Sequence, residues 1–167
     1  MASDSEPRWL TEDELATWLA LVGVIFKLPG VLDNQLQRDS GLTHFEYLVL
    51  AGLSESPDRS LRMSDLAGFA NGSLSRLSHV VKRLENRGFV VRRTAEDDGR
   101  ITVATLTDSG YDFVVTAAPG HVGAVREFVI DALSPEQLHQ LRAIADQIMT
   151  RVDPDQACPT GRETMGG

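Results

Sequence analysis

A single cysteine, Cys158, stands in 167 residues, which excludes an intramolecular disulfide framework and a cysteine-built zinc site and suits a reducing compartment. Aromatic residues make up only 6% of the chain. The longest unbroken apolar run, Trp18–Phe26, is nine residues, about half of the roughly 18–20 that span a bilayer, and no transmembrane helix is expected from it. The N-terminus opens with Asp4 and Glu6 instead of a basic stretch leading into an apolar one, unlike a secretory signal. There is no glycine-rich phosphate loop, no nucleophile elbow and no carboxylate pair outside capping or loop positions, so catalysis and a bound cofactor have no footing. Among His44, His79, His121 and His139 no two share the i,i+3 or i,i+4 spacing of a helical metal site. Only folding could unite His44 with His121, and no metal is expected.

What is present is organised. With 42% apolar and 24% charged residues the composition is globular, and 167 residues fit one domain of ordinary size or one small domain with dimerising extensions. Its net charge of −8 argues, taken alone, against a nucleic-acid partner. The charge is segregated, however: residues 59–104 carry nine basic residues against five acidic ones, a local +4, and the remainder carries −12. A basic centre between acidic ends points either to one surface that faces a polyanion or to a solvated face with no partner.

Thr11 and Glu14 form a capping box at the start of a helix whose stretch Leu15–Leu28 is polar only at Thr17 and Lys27. A helix this apolar on all sides needs covering, and a partner subunit is the natural cover. Pro29-Gly30 is expected to kink or break it before Val31–Leu36 resumes the pattern. Thr43 and Glu46 open a second helix that stops near Pro57. Ser64 is expected to cap a very short helix, Asp65–Phe69, and Asn71-Gly72 supplies a turn before Ser73 caps the next. In that helix Leu74, Leu77, Val81 and Leu84 form one buried stripe, opposite Ser75, Arg76, His79, Lys82, Arg83 and Asn86. Gly88 ends it in the left-handed conformation. Two strands, Phe89–Thr94 and Ile101–Leu106, flank the loop Ala95–Arg100. The order short helix, turn, basic amphipathic helix and β-hairpin describes a winged helix-turn-helix in a mainly α chain. A helical period then crosses Pro119-Gly120, where a kink is expected, and Ser134, Pro135 and Gln137 start a last helix with Leu138, Leu141, Ala145, Ile148 and Val152 at coiled-coil spacing. The predicted organisation is a dimerisation helix in 1–40, the winged helix-turn-helix in 41–107, further dimerisation helices in 108–153 and a disordered tail in 154–167.

The run Lys82-Arg83-Leu84-Glu85-Asn86-Arg87-Gly88, then Asp98-Gly99-Arg100 and Leu106-Thr107-Asp108-Ser109-Gly110, with Leu66-Ala67 and Ser75-Arg76 before it, resembles the MarR family of bacterial transcriptional regulators. The motifs cover about Leu42 to Val115. The resemblance implies a homodimer joined through the first and last helices, with each subunit presenting a winged helix to a palindromic operator. It also implies regulation, commonly repression, relieved by a small anionic or aromatic effector bound between the two regions. Redox sensing is not implied, because the family's peroxide sensors carry their cysteine near the N-terminus and Cys158 lies in the tail.

Expected DNA contacts follow from the geometry of an inserted helix. Ser73, Ser75 and Arg76, nearest its start, approach base edges, with Arg76 gripping guanine; the serines bind phosphate, read bases or simply cap. His79 shares this face, and Lys82 and Arg83 lie further along, towards the phosphate backbone. A solvated basic face with pairing such as Lys82–Glu85 is the plain alternative. In the wing, the resemblance implies that Arg100 enters the minor groove while Asp98 holds its guanidinium; otherwise the loop is an exposed turn. Glu96 and Asp97 at the tip would repel phosphate. Trp18, Phe26, His44, Phe45 and Tyr47 are candidate effector contacts, core packing being their ordinary role. The competing function is a winged-helix module that binds protein and not DNA, in keeping with the overall acidity.

Overall fold

The computed structural model describes residues 7–95 and 98–154. They divide into two compact units, up to Ala124 and from Val125 onward. The first holds α1 (Glu12–Ser40), α2 (His44–Glu55), a 3-10 turn at Pro57–Arg59, β1 (Ser60–Arg62), α3 (Met63–Phe69), α4 (Leu74–Asn86), β2 (Val90–Thr94), β3 (Thr102–Leu106) and nearly all of α5 (Asp108–Val125). The second holds a π-helical turn, Arg126–Ile130, and α6 (Pro135–Val152). Thr11, Thr43 and Ser134 close complete capping boxes with Glu14, Glu46 and Gln137, as their spacing predicts. Leu36, Leu42, Val49, Leu50, Leu53, Leu66, Leu77, Val81 and Leu84 form the fully buried heart of the first unit. A small antiparallel sheet flanks it.

Several local expectations are corrected. Pro29 does not break α1, which continues for 29 residues across it; one missing backbone donor is tolerated where well-formed turns stand on both sides. Pro119 likewise lies inside α5, which runs on to Val125 before the π turn. α3 starts at Met63 on an Arg62 cap with no side-chain hydrogen bond, and Ser64 instead donates to Asp65 at 3.0 Å. A third strand, β1, pairs with β3 through Ser60–Thr105, Leu61–Ala104 and Arg62–Val103, giving the sheet order β1-β3-β2. Leu74 leaves the predicted stripe and is exposed, whereas Val80 joins it.

The family-like motifs prove to be fasteners. Arg83 donates to Glu46 of α2 at 3.0 Å, and Leu84 is fully buried. The Glu85 carboxylate receives the Arg92 backbone N–H at 3.0 Å and its guanidinium at 2.6 and 3.0 Å, tying the end of α4 to β2. Arg87 donates to the Gly41 carbonyl and stacks on Phe89 and Phe113, and Gly88 takes φ +77°. In the second motif, Thr107 donates its backbone N–H to the Phe89 carbonyl at 3.0 Å, and its hydroxyl accepts from Gly110 N at 3.0 Å, capping α5. Gly110 is needed because a Cβ there would lie 2.2 Å from the Phe89 carbonyl oxygen.

The first twenty residues of α1 contain no buried side chain. Trp18, Leu19, Val24, Ile25 and Phe26 are all more than half exposed. In α6, Leu141, Ile144, Ile148 and Val152 are similarly uncovered. α1 and the helical stretch through α5 are long and apolar enough to cross a membrane by length and composition, which the nine-residue run understated because Thr17 and Lys27 interrupt a much longer apolar segment. Helices that pack against protein pass the same test.

Candidate nucleic-acid interface

α4 divides into two faces. Leu77, Val80, Val81 and Leu84 enter the core, while Ser75, Arg76, His79, Lys82, Arg83 and Asn86 face outward. The Ser73 hydroxyl accepts from Arg76 N at 3.2 Å, so its oxygen is engaged as the cap. The Arg76 guanidinium lies 4.2 Å above the Phe45 ring. Arg83 is held by Glu46, whose carboxylate also receives the Thr43 N–H at 2.8 Å and the Thr43 hydroxyl at 2.9 Å. Burial alone would raise the Glu46 pKa, but the hydrogen bonds from Thr43 and Arg83 outweigh it and hold the carboxyl below its ordinary value. No ion pair forms between Lys82 and Glu85, since Glu85 is taken by Arg92. His79 and Lys82 make no ion pair among the described residues.

In the wing, Asp98 Oδ1 accepts from Arg100 N at 3.0 Å and from its Nε at 3.4 Å. The Arg100 side chain is nonetheless 93% exposed, so the carboxylate orients a guanidinium that is otherwise in solvent. Glu96 and Asp97 lie outside the described residues. Arg83 on the helix face and Arg100 in the wing are therefore each held by a carboxylate, whereas Arg76 and Lys82 form no ion pair among the described residues.

Comparison with known proteins decides the family. The MarR family signature matches residues 42–102, from the lead into α2 to the first residue of β3. The crystal structure of Sco3205, a MarR family transcriptional regulator from Streptomyces coelicolor in complex with DNA, is similar with a TM-score of 0.86 and 44% identity, over 92% of this chain and 96% of that one. AbsC, a MarR family transcriptional regulator from the same organism, superposes with a TM-score of 0.83 at 40% identity, covering 87% of this chain and 98% of that one. This chain belongs to the MarR family. The transcriptional repressor MprA of Escherichia coli K12 is 24% identical over 120 residues, 72% of this chain and 68% of that protein. MarR-family proteins are transcriptional regulators with a winged helix, which accounts for the β2–β3 hairpin after α4.

The effector candidates of this MarR-family chain do not gather in one place. Trp18 and Phe26 sit on the uncovered stretch of α1, 51% and 79% exposed. Trp18 borders a shallow hollow beside Asp13, Glu14 and Leu21. His44 and Tyr47 instead meet His121 of α5, with ring centroids 5.5 and 4.4 Å from it. Burial lowers the pKa of both histidines; Asp33 partly opposes the shift at His44, and His44 adds to it at His121. An open groove of about 500 Å³ runs between α1, α2 and α4 past Pro29, Asp33, His44, Phe45, Leu48 and Arg76. Tyr47, buried in the core, does not line it. Asp33, which accepts from His44 N at 2.7 Å, was not legible as a site residue, and His121 entered only as a residue that folding could unite with His44; each meets its partners through tertiary packing. The described residues contain no cluster of three or more potential metal ligands.

Proposed function

We propose that this MarR-family chain acts as a homodimer on palindromic operators, as a repressor whose hold on DNA a small anionic or aromatic effector weakens. The observation that carries the reading is the open basic face of α4 beside an Asp98-oriented Arg100, in a chain 44% identical to a regulator crystallised with DNA. Ser73, Ser75, Arg76 and His79 enter the major groove, Lys82 and Arg83 meet phosphates, and the wing places Arg100 in the minor groove. To grip a guanine, Arg76 leaves its stack on Phe45, at a cost of about 0.5–1 kcal/mol that a bidentate contact worth about 1–3 kcal/mol exceeds. The uncovered apolar residues of α1 and of α6 are each assigned to contact with a second copy. The groove past His44 and Arg76 is the proposed effector site, with Trp18, Phe26 and Tyr47 as further candidate contacts. The protein acts in the cytoplasm, where its DNA is, and no catalytic role is assigned.

Fluorescence anisotropy and footprinting of the full chain on the DNA upstream of its own coding region test the proposal. Protection of an inverted repeat by two copies is expected. Failure to bind any duplex would leave the protein-binding module as the better reading, in keeping with the net charge of −8.

A further inference from the structure

Leu74 is the member of the α4 apolar series that folding leaves out of the core. It is 55% exposed, whereas Leu77, Val81 and Leu84 are fully buried. It is also the first residue of α4. Side chains on a helix tilt toward its N-terminus, so this isobutyl group projects ahead of the helix, at the end an inserted recognition helix sends deepest. The residues that flank it in the chain, Ser73, Ser75 and Arg76, are polar. Ser73 is engaged as the cap, Ser75 is exposed, and Arg76 turns onto Phe45. The other exposed apolar side chain of the helix-turn-helix, Phe69, packs over Gly52 of α2, where a Cβ would meet its ring at 2.6 Å. A lone apolar group with a serine and arginine rim is too small for a protein-docking patch, which spans several hundred Å².

We propose that Leu74 is a specificity-determining residue that packs on the C5-methyl group of a thymine in each operator half-site. The inference rests on the reading of α4 as the major-groove helix. The thymine methyl is the apolar feature among the base edges of that groove; against any other base, a leucine would cover a hydrogen-bonding atom and give nothing back. Leu74 would thus select thymine where Arg76 selects guanine.

The test replaces each thymine of the footprinted operator by deoxyuridine, which removes the methyl and keeps every hydrogen-bonding atom. At one thymine per half-site, wild type is expected to lose about four-fold in affinity, the worth of one buried methyl group. Leu74→Ala is expected to bind the unmodified operator more weakly by at least that factor and to ignore the same deoxyuridine, so the two losses do not multiply. Leu74→Met, which keeps an apolar side chain, should retain the sensitivity. Wild-type binding indifferent to every deoxyuridine, or losses that multiply, would overturn the contact while leaving DNA binding intact. Absence of any footprint would overturn the DNA reading and this inference together. Leu74 lies outside the core, so circular dichroism of both variants should match wild type.

Discussion

Gly110→Ala would test whether the second motif is a fastener. A Cβ at Gly110 falls 2.2 Å from the Phe89 carbonyl oxygen and 2.8 Å from Leu106 Cδ1, against 3.4 Å for ordinary contact. The carbonyl cannot yield freely, because it accepts the Thr107 N–H at 3.0 Å and the Thr107 hydroxyl at 3.2 Å. Overpacking of this kind costs about 1–3 kcal/mol, and loosening one of those hydrogen bonds about 1 kcal/mol more. Alanine returns up to about 1 kcal/mol in helix propensity. The net loss is about 1–3 kcal/mol, or about 2–12 °C in melting temperature for a chain of this size. Gly123, in the same helix, provides the control: nothing lies within 4 Å of its would-be Cβ, so Gly123→Ala should be neutral or stabilising by up to about 1 kcal/mol. Urea unfolding of the two variants side by side measures the difference. Gly110→Ala as stable as Gly123→Ala would refute the close approach.

Three further outcomes are expected. Arg76→Ala should relax preference at one operator position per half-site at a cost of about 1–3 kcal/mol, whereas Arg100→Ala should weaken all sequences more evenly and Asp98→Ala should imitate it mildly; interchangeable binding profiles across an operator library would contradict the assignment of helix and wing. Because His44 and His121 titrate below 6.5 in the folded chain, the unfolded chain takes up their protons first; stability should therefore fall as pH drops below about 6.5, and thermal melts of His121→Gln should show a shallower fall. Val24→Glu in the uncovered part of α1 should shift sedimentation from about twice 18.3 kDa to the monomer mass, and an unchanged dimer would remove α1 from the interface.

Local chemistry made much of this fold readable. Capping boxes at Thr11, Thr43 and Ser134 set helix starts because their partners lie three residues away, and Gly88 marks an end because its φ of +77° favours glycine. The hairpin was legible within one residue at each strand start. What escaped depends on packing at a distance. β1 is three residues long, too short to show alternation, and exists because β3 offers it an edge. Leu74 fits the helical period of the stripe, yet at the first turn it extends past the core that would cover it. The Arg83–Glu46 pair joins residues 37 apart, and the meeting of His44 with His121, which the sequence raised only in connection with a metal, needs α5 to fold back on α2. Sequence pattern thus located the cations of the helix face without telling which were already held.

That distinction sets the salt dependence of binding. Arg59, Arg83, Arg92 and Arg100 are paired with Asp108, Glu46, Glu85 and Asp98, and a cation that keeps its carboxylate can still donate to a phosphate or enter a groove but brings no net charge there and releases no counterion. Arg62, Arg76, Lys82, Arg87 and Arg93 are exposed and form no ion pair among the described residues. Two copies would therefore bring about ten unneutralised cations to DNA, and counterion release gives a slope of log affinity against log salt no steeper than about −9. The acidic remainder pushes the same way, weakening long-range attraction to arbitrary sequences. Anisotropy titrations from about 50 to 200 mM salt measure the slope. A value between about −4 and −9 fits the free set with some cations turned from the duplex. A steeper value would mean that Arg83 and its fellows abandon their carboxylates on binding, and that the fasteners between α2, α4 and the wing open on DNA.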